Sequence, residues 1–157
     1  MEVSYIDLRD FPMPLYDGDL EAEKGMPDQA LRLRQLMEEH SGFLLACPEY
    51  NSSIPGVLKN ALDWASRPYK DDPDLICFKA KIVNLISASP GRWGGMRSLV
   101  AVRSMLNSIG CIVLPSQFCL SAADKAFAAD GSLVDPAMQK LLQANCEEFV
   151  RVLRKLG

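Results

Sequence analysis

The stretch Gly42-Phe43-Leu44-Leu45-Ala46-Cys47-Pro48-Glu49-Tyr50-Asn51-Ser52-Ser53-Ile54-Pro55-Gly56-Val57-Leu58-Lys59-Asn60-Ala61-Leu62-Asp63-Trp64 changes character twice. Its first six residues are an unbroken apolar run. Such a run suits a strand buried on both faces of a parallel sheet. A polar turn with two prolines around an aromatic follows. Apolar residues then fall at 57, 58, 61, 62 and 65, which is helical spacing. Ser52 or Ser53 is the expected cap of that helix, and Pro55 suits its first turn. Strand, crevice loop and helix start in this order form a unit that binds ligands at the carboxyl end of a strand in open α/β sheets.

The flanking sequence repeats that alternation. Val3 to Leu8 alternates loosely and reads as a short strand. The prolines of Phe11-Pro12-Met13-Pro14-Leu15-Tyr16-Asp17-Gly18 exclude a helix there, so this reads as an extended loop packed over a sheet edge. An acidic surface stretch, Asp17 to Glu23, continues it. A helix is predicted from Pro27-Asp28, with Ala30, Leu31, Leu33, Leu36 and Met37 inward. Arg32, Arg34, Gln35, Glu38 and Glu39 are expected outward, and His40 in the last turn. Arg67 to Lys79 is a charged loop. Ala80 to Ser87 is a second buried strand. Ser87-Ala88-Ser89-Pro90-Gly91-Arg92-Trp93-Gly94-Gly95 leads into a helix ending near Ile109, with Gly110 as its C′ residue.

Cys111 to Leu114 reads as another short strand and Ser116 to Asp135 as irregular, with a turn at Asp130-Gly131. Asp135 and Pro136 open a last helix whose inward face is Met138, Leu141, Leu142, Cys146, Phe149, Val150 and Leu153. Four strands alternating with four helices predict one α/β domain over residues 1–157, with a parallel sheet between two helix layers. Right-handed crossovers bring the loops after Cys47 and after Ser87 to one rim.

Composition narrows the function. With 157 residues and a net charge of −3, the chain has no basic footprint for nucleic acid or an anionic membrane. No apolar run reaches the roughly 18 residues of a membrane span. Met1-Glu2-Val3-Ser4-Tyr5 lacks the basic-then-apolar pattern of a secretory signal. The five cysteines form no Cys-x-x-Cys and the chain has one histidine, so no metal-ligand cluster is visible. These features lead to an expectation of a cytoplasmic protein with reduced thiols.

The rim offers Tyr50, Asn51, Ser87, Ser89, Trp93, three glycines and a helix N-terminus. These groups suit a flat heteroaromatic ring with carbonyl and nitrogen edges. They form no nucleophilic triad, Walker loop or Gly-x-Gly-x-x-Gly fingerprint.

The segment Pro48 to Trp64 resembles the signature of the NADPH-dependent FMN reductases, flavodoxin-like proteins that include quinone, azo-dye and chromate reductases. Phe11 to Asp17 is similar to the loop after that family's second strand, and Ser89 to Gly95 to the loop after its fourth. The resemblance implies a flavodoxin-like α/β/α sandwich that binds FMN. Pro48, Glu49, Tyr50, Asn51 and Ser53 would line the isoalloxazine from one side, and Ser87, Ser89, Pro90 and Gly91 its pyrimidine edge. It further implies NAD(P)H as reductant, a small-molecule electron acceptor, and a homodimer or homotetramer with contacts on the helix from Pro55 and on Arg67–Lys79. Because the cofactor carries the chemistry, no catalytic side chain is expected. The family's first strand and phosphate-binding loop are expected upstream of the segment that opens this sequence. Two other outcomes are a flavin-binding electron carrier without turnover, and a structural subunit that pairs with a longer relative.

Overall fold

The computed structural model describes residues 2–156. Three parallel strands, β1 (Gly42–Ala46), β2 (Ile82–Ala88) and β3 (Ile112–Leu120), lie in the order β1-β2-β3. Five helices join or flank them: α1 (Gly18–Lys24), α2 (Asp28–Glu39), α3 (Gly56–Ala65), α4 (Met96–Ser108) and α5 (Pro136–Leu156). The expected alternation therefore holds from α2 onward.

Strand periodicity places two apolar cores. Val83 and Leu85 face one way, onto Leu33 and Met37 of α2, Leu58 and Ala61 of α3, and Leu99, Val102 and Leu106 of α4. Ile82 and Leu114 face the other way, onto Phe149 of α5. β2 is central and is buried along nearly its whole length. β1 forms an edge. Its predicted burial on both faces fails at Leu44, which is 46% exposed, because α5 crosses β2 and β3 but leaves Leu44 uncovered.

Several local expectations change. Val3–Leu8 is not a strand. Its backbone joins no ladder among the described residues, Val3 and Tyr5 are exposed, and Leu8–Asp10 closes a 3₁₀ turn capped by Asp7. An alternating pattern makes a strand only when a neighbour completes its hydrogen bonds. Asp17–Glu23 is not loop, because the Asp17 carboxylate accepts the Asp19 and Leu20 amides and starts α1. Neither Ser52 nor Ser53 caps α3; Pro55 occupies that position with no side-chain cap.

β3 runs on through Leu120, well past Leu114. Pro115 lacks an amide, and a register shift between Val83 and Leu85 absorbs it, so pairing resumes at Gln117. Leu141 points to solvent, and Asn145 takes a buried place on the α5 face. Arg34, expected outward, is buried. Asp135 caps α5 through the Ala137 amide, and Gly110, at φ +92°, follows α4, both as predicted.

The Pro-rich segment is a loop as expected, but it packs on α3 and not over a sheet edge. Pro14 O accepts both Trp64 Nε1–H (2.8 Å) and Asn60 Nδ2–H (2.9 Å), while Asn60 Oδ1 accepts the Tyr16 amide (2.8 Å). The Tyr16 ring meets Trp64 edge-on at 5.0 Å. At the far end of the sheet, Lys81 Nζ donates to the Glu38 (2.8 Å) and His40 (2.6 Å) carbonyls and so closes α2. Burial lowers the Lys81 pKa. His40 Nδ1 lies 2.7 Å from the Leu36 carbonyl, the place of a helix-end residue.

The cysteines are free, and Cys47, Cys77 and Cys111 are buried. Burial pushes Cys77 and Cys111 up to about 11 from 9.0. The unfolded chain then releases these protons first as pH rises above 9, and the folded chain holds them. The expected result is a stability that falls between pH 9 and 11, read from urea melts, with Cys77→Ser/Cys111→Ala flattening the slope. Among the described residues no helix is long and apolar enough to cross a membrane, and no cluster of His, Cys, Asp and Glu could hold a metal.

Candidate functional site

Parallel pairing of β1 and β2 sets their carboxyl ends side by side, and the two following loops meet there. The first loop, residues 47–55, turns at Tyr50–Ser53. The Tyr50 amide donates to Ser53 O and the Ser53 amide to Tyr50 O, both at 3.0 Å. Asn51 (φ +49°) and Ser52 (φ +65°) are both left-handed, as the primed two-residue turn requires. Asparagine tolerates this conformation, whereas serine does so at a cost of about 1 kcal/mol. Ser52→Gly is therefore expected to stabilise the fold by about 0.5–1 kcal/mol, measured as a raised urea midpoint.

The second loop, residues 88–95, is held from below. Ser87 Oγ–H donates to Gly94 O at 2.6 Å. The Ser89 amide donates to Leu120 O (3.0 Å), and Ser89 Oγ accepts the Gly91 amide (3.2 Å). Gly94 (φ +58°) and Gly95 (φ +86°) turn the chain into α4 so tightly that any side chain would strike neighbours.

α4 then ties the loops together. Ser98 Oγ–H donates to Cys47 O (3.0 Å) and Gly95 O (2.8 Å). The Glu49 carboxylate accepts from the Arg97 amide (3.1 Å) and Nε–H (2.8 Å), and pairs with the same guanidinium at 2.6 Å.

The sequence-selected residues thus gather at one rim in two roles. Tyr50, Asn51, Ser53, Pro90 and Gly91 are exposed on its lip. Pro48 and Ser87 line an apolar cavity of about 380 Å³ below it, with Ala46, Ile86, Phe118 and Leu120. Ser87 is buried with its hydroxyl spent on Gly94, and Glu49 is turned onto α4, so both build the scaffold of the rim. Ser89 shapes its own loop. Arg97 and Ser98 went unselected, because a cap supplied from another loop leaves no local sequence pattern. Phe127 and Leu133, paired across the Asp130-Gly131 turn, also wall the cavity, and only that turn was legible.

An isoalloxazine ring suits this rim. The cavity is apolar and of small-ligand size, two exposed aromatics (Tyr50 at 63% and Trp93 at 47%) stand on opposite loops, and backbone turns edge it. For a phosphate dianion the match is partial. Arg97 is paired with Glu49, and Arg92 is stacked 4.5 Å from the Trp93 ring. The described rim therefore supports a ring and does not by itself supply a phosphate cradle.

Known proteins resemble this chain in sequence and fold. A family model described as NADPH-dependent FMN reductase matches residues 1–125. An NAD(P)H-dependent FMN reductase of Pseudomonas aeruginosa is 36% identical over 153 residues, covering 96% of this chain and 80% of that protein. A quinone reductase of Pseudomonas putida is 36% identical, covering 87% of this chain and 71% of its own length. Among solved structures, the flavoenzyme NAD(P)H:(acceptor) oxidoreductase FerB of Paracoccus denitrificans superposes with a TM-score of 0.77 at 34% identity, over 96% of this chain and 79% of FerB.

Proposed function

Because this chain belongs to the NADPH-dependent FMN reductase family, we propose that it is an FMN-dependent NAD(P)H oxidoreductase that reduces quinones, flavins or similar small acceptors. The observation that carries this reading is the joined pair of rim loops. Two strand-end loops, cross-linked through α4, carry the exposed Tyr50 and Trp93, and the strand ends they leave line an apolar cavity.

FMN, when bound, supplies the hydride-accepting ring. The residues of this chain bind and orient it. Pro48, Tyr50, Asn51, Ser53, Pro90 and Gly91 would border the ring, and Ala46, Ile86 and Phe118 would exclude water beneath it. A hydride donor and an acceptor would then use the same open face in turn, the ping-pong order expected of a single shared site. Stacking geometry accounts for such a transfer without a protein acid or base, so no side chain is assigned that role. The same reading carries a cytoplasmic homodimer or homotetramer. Its contact surfaces are the exposed side of α3, with Val57, and the 67–79 segment; sedimentation velocity tests it.

The direct test is flavin titration. Purified chain is expected to quench FMN fluorescence and to oxidise NADPH with a quinone. A chain that binds FMN without NADPH turnover is an electron carrier, and one that does neither overturns the proposal.

A further inference from the structure

α4 begins without a cap of its own. Its N-cap residue is Gly95, in a left-handed conformation, with no side-chain hydrogen bond. The position normally filled by serine, aspartate or asparagine cannot be filled here. A Cβ on Gly95 would lie 2.9 Å from the Ser87 Cβ and 3.0 Å from its Oγ. The carboxylate of Glu49, 46 residues upstream on the other rim loop, takes the place of the cap. Its Oε2 accepts the amide of Arg97, the second residue of the helix, and its Oε1 holds the Arg97 side chain. A negative charge at this end also complements the helix dipole. The Glu49 side chain is only 9% exposed, whereas Arg97 is half open to solvent, so the carboxylate is the buried partner of the lock.

We propose that Glu49 is a positioning residue. It caps α4 from outside the helix and so sets the spacing between the two loops that border the ligand. It acts on the ligand through Arg97 and α4 and not by touching it. The tightness of the Gly94-Gly95 turn makes this arrangement necessary, because the space that a local cap would need is taken by Ser87. Tyr50, the next residue in the chain, inherits its place from the lock. The inference rests on the flavin reading only for its consequence on FMN affinity.

Two measurements on Glu49→Ala, Glu49→Gln and Lys81→Met separate the outcomes. Lys81 closes α2 at the opposite end of the sheet, so its variant controls for a general loss of stability. Amide hydrogen exchange of the unliganded chain is expected to quicken about tenfold in residues 47–53 and 89–98 of Glu49→Ala. Glu49→Gln, which keeps an acceptor but loses the charge, should fall between that variant and the parent. In Lys81→Met those segments should be unchanged. FMN titration should show an affinity about tenfold weaker for Glu49→Ala, partly rescued in Glu49→Gln and unaltered in Lys81→Met. Unchanged exchange in 89–98 overturns the lock. So does faster exchange with unaltered FMN affinity, or a Lys81→Met chain that binds FMN as poorly as Glu49→Ala. If the parent chain does not bind FMN, the flavin reading fails, and the exchange data alone decide the lock.

Discussion

Gly94→Ala is expected to cost about 3 kcal/mol of stability and to abolish flavin binding at the rim. Two effects add. The backbone sits at φ +58°, where a Cβ is strained. The added Cβ would also lie 2.8 Å from the Leu120 carbonyl carbon, 2.9 Å from the Ser121 nitrogen and 3.0 Å from the Cys119 carbonyl carbon. All three are main-chain atoms of β3 and its exit, and they cannot swing aside as a flexible side chain would. Relief requires the second loop to lift, which breaks the 2.6 Å Ser87–Gly94 bond and withdraws the α4 N-terminus from Glu49. Gly91→Ala is the matched control. Its Cβ meets only Ser89 Oγ, at 3.6 Å, and its φ is not left-handed, so its cost should be under about 0.5 kcal/mol. Urea melts on the pair check the stability contrast, and FMN fluorescence quenching on Gly94→Ala checks the loss of binding. Equal behaviour of the two variants would show that the turn is not under the constraint described.

Arg34→Met is the second large effect, with an expected loss of about 3 kcal/mol. The Arg34 guanidinium is buried among main-chain acceptors. One nitrogen donates to Ala65 O (2.8 Å) and Arg67 O (2.9 Å), and the other to the Asp72 carboxylate (2.9 Å). These bonds end α3 and pin the 67–79 segment against α2. Methionine fills much of the volume but leaves two carbonyls and a carboxylate without their donor. Lysine should rescue little, because a single ammonium cannot reach three acceptors with the planar fork of arginine. Denaturant midpoints test this, and limited proteolysis should move its first cut into residues 67–79. A loss under 1 kcal/mol would mean that water replaces the guanidinium at no cost.

Arg34 also shows where reading the sequence stops. Helical spacing placed it on the polar side of α2, between Leu33 and Gln35. The free energy that draws it inward comes from carbonyls released by the end of α3, more than 30 residues away in the chain. Val3–Leu8 fails for a related reason. Alternation states which side of a strand would be apolar, but pairing is decided by the neighbour. Ser52 and Ser53 had the chemistry of caps, yet the primed turn and Pro55 moved the helix start beyond them.

Glu49 gained a role in the same way. Its place in the signature implies a ring residue, and the fold adds a contact the signature does not show, the carboxylate on α4. What did survive was local in origin: the α2, α3, α4 and α5 helices, the β1 and β2 strands, the loop status of the Pro-rich segment, and the gathering of residues 48–53 and 87–91 at one rim.

The sequence by itself determined the alternation of strand and helix, the parallel sheet that follows from it, and the family. Each rests on periodicity, turn chemistry or a contiguous motif, which are short-range properties. Only the tertiary structure decided which rim residues are exposed and which spend their side chains on bonds within the rim. That division depends on vacant acceptors and steric room supplied by distant segments. The Gly42–Trp64 stretch carries the first kind of information in full, while its Glu49 obtains its function only once Arg97 is brought beside it.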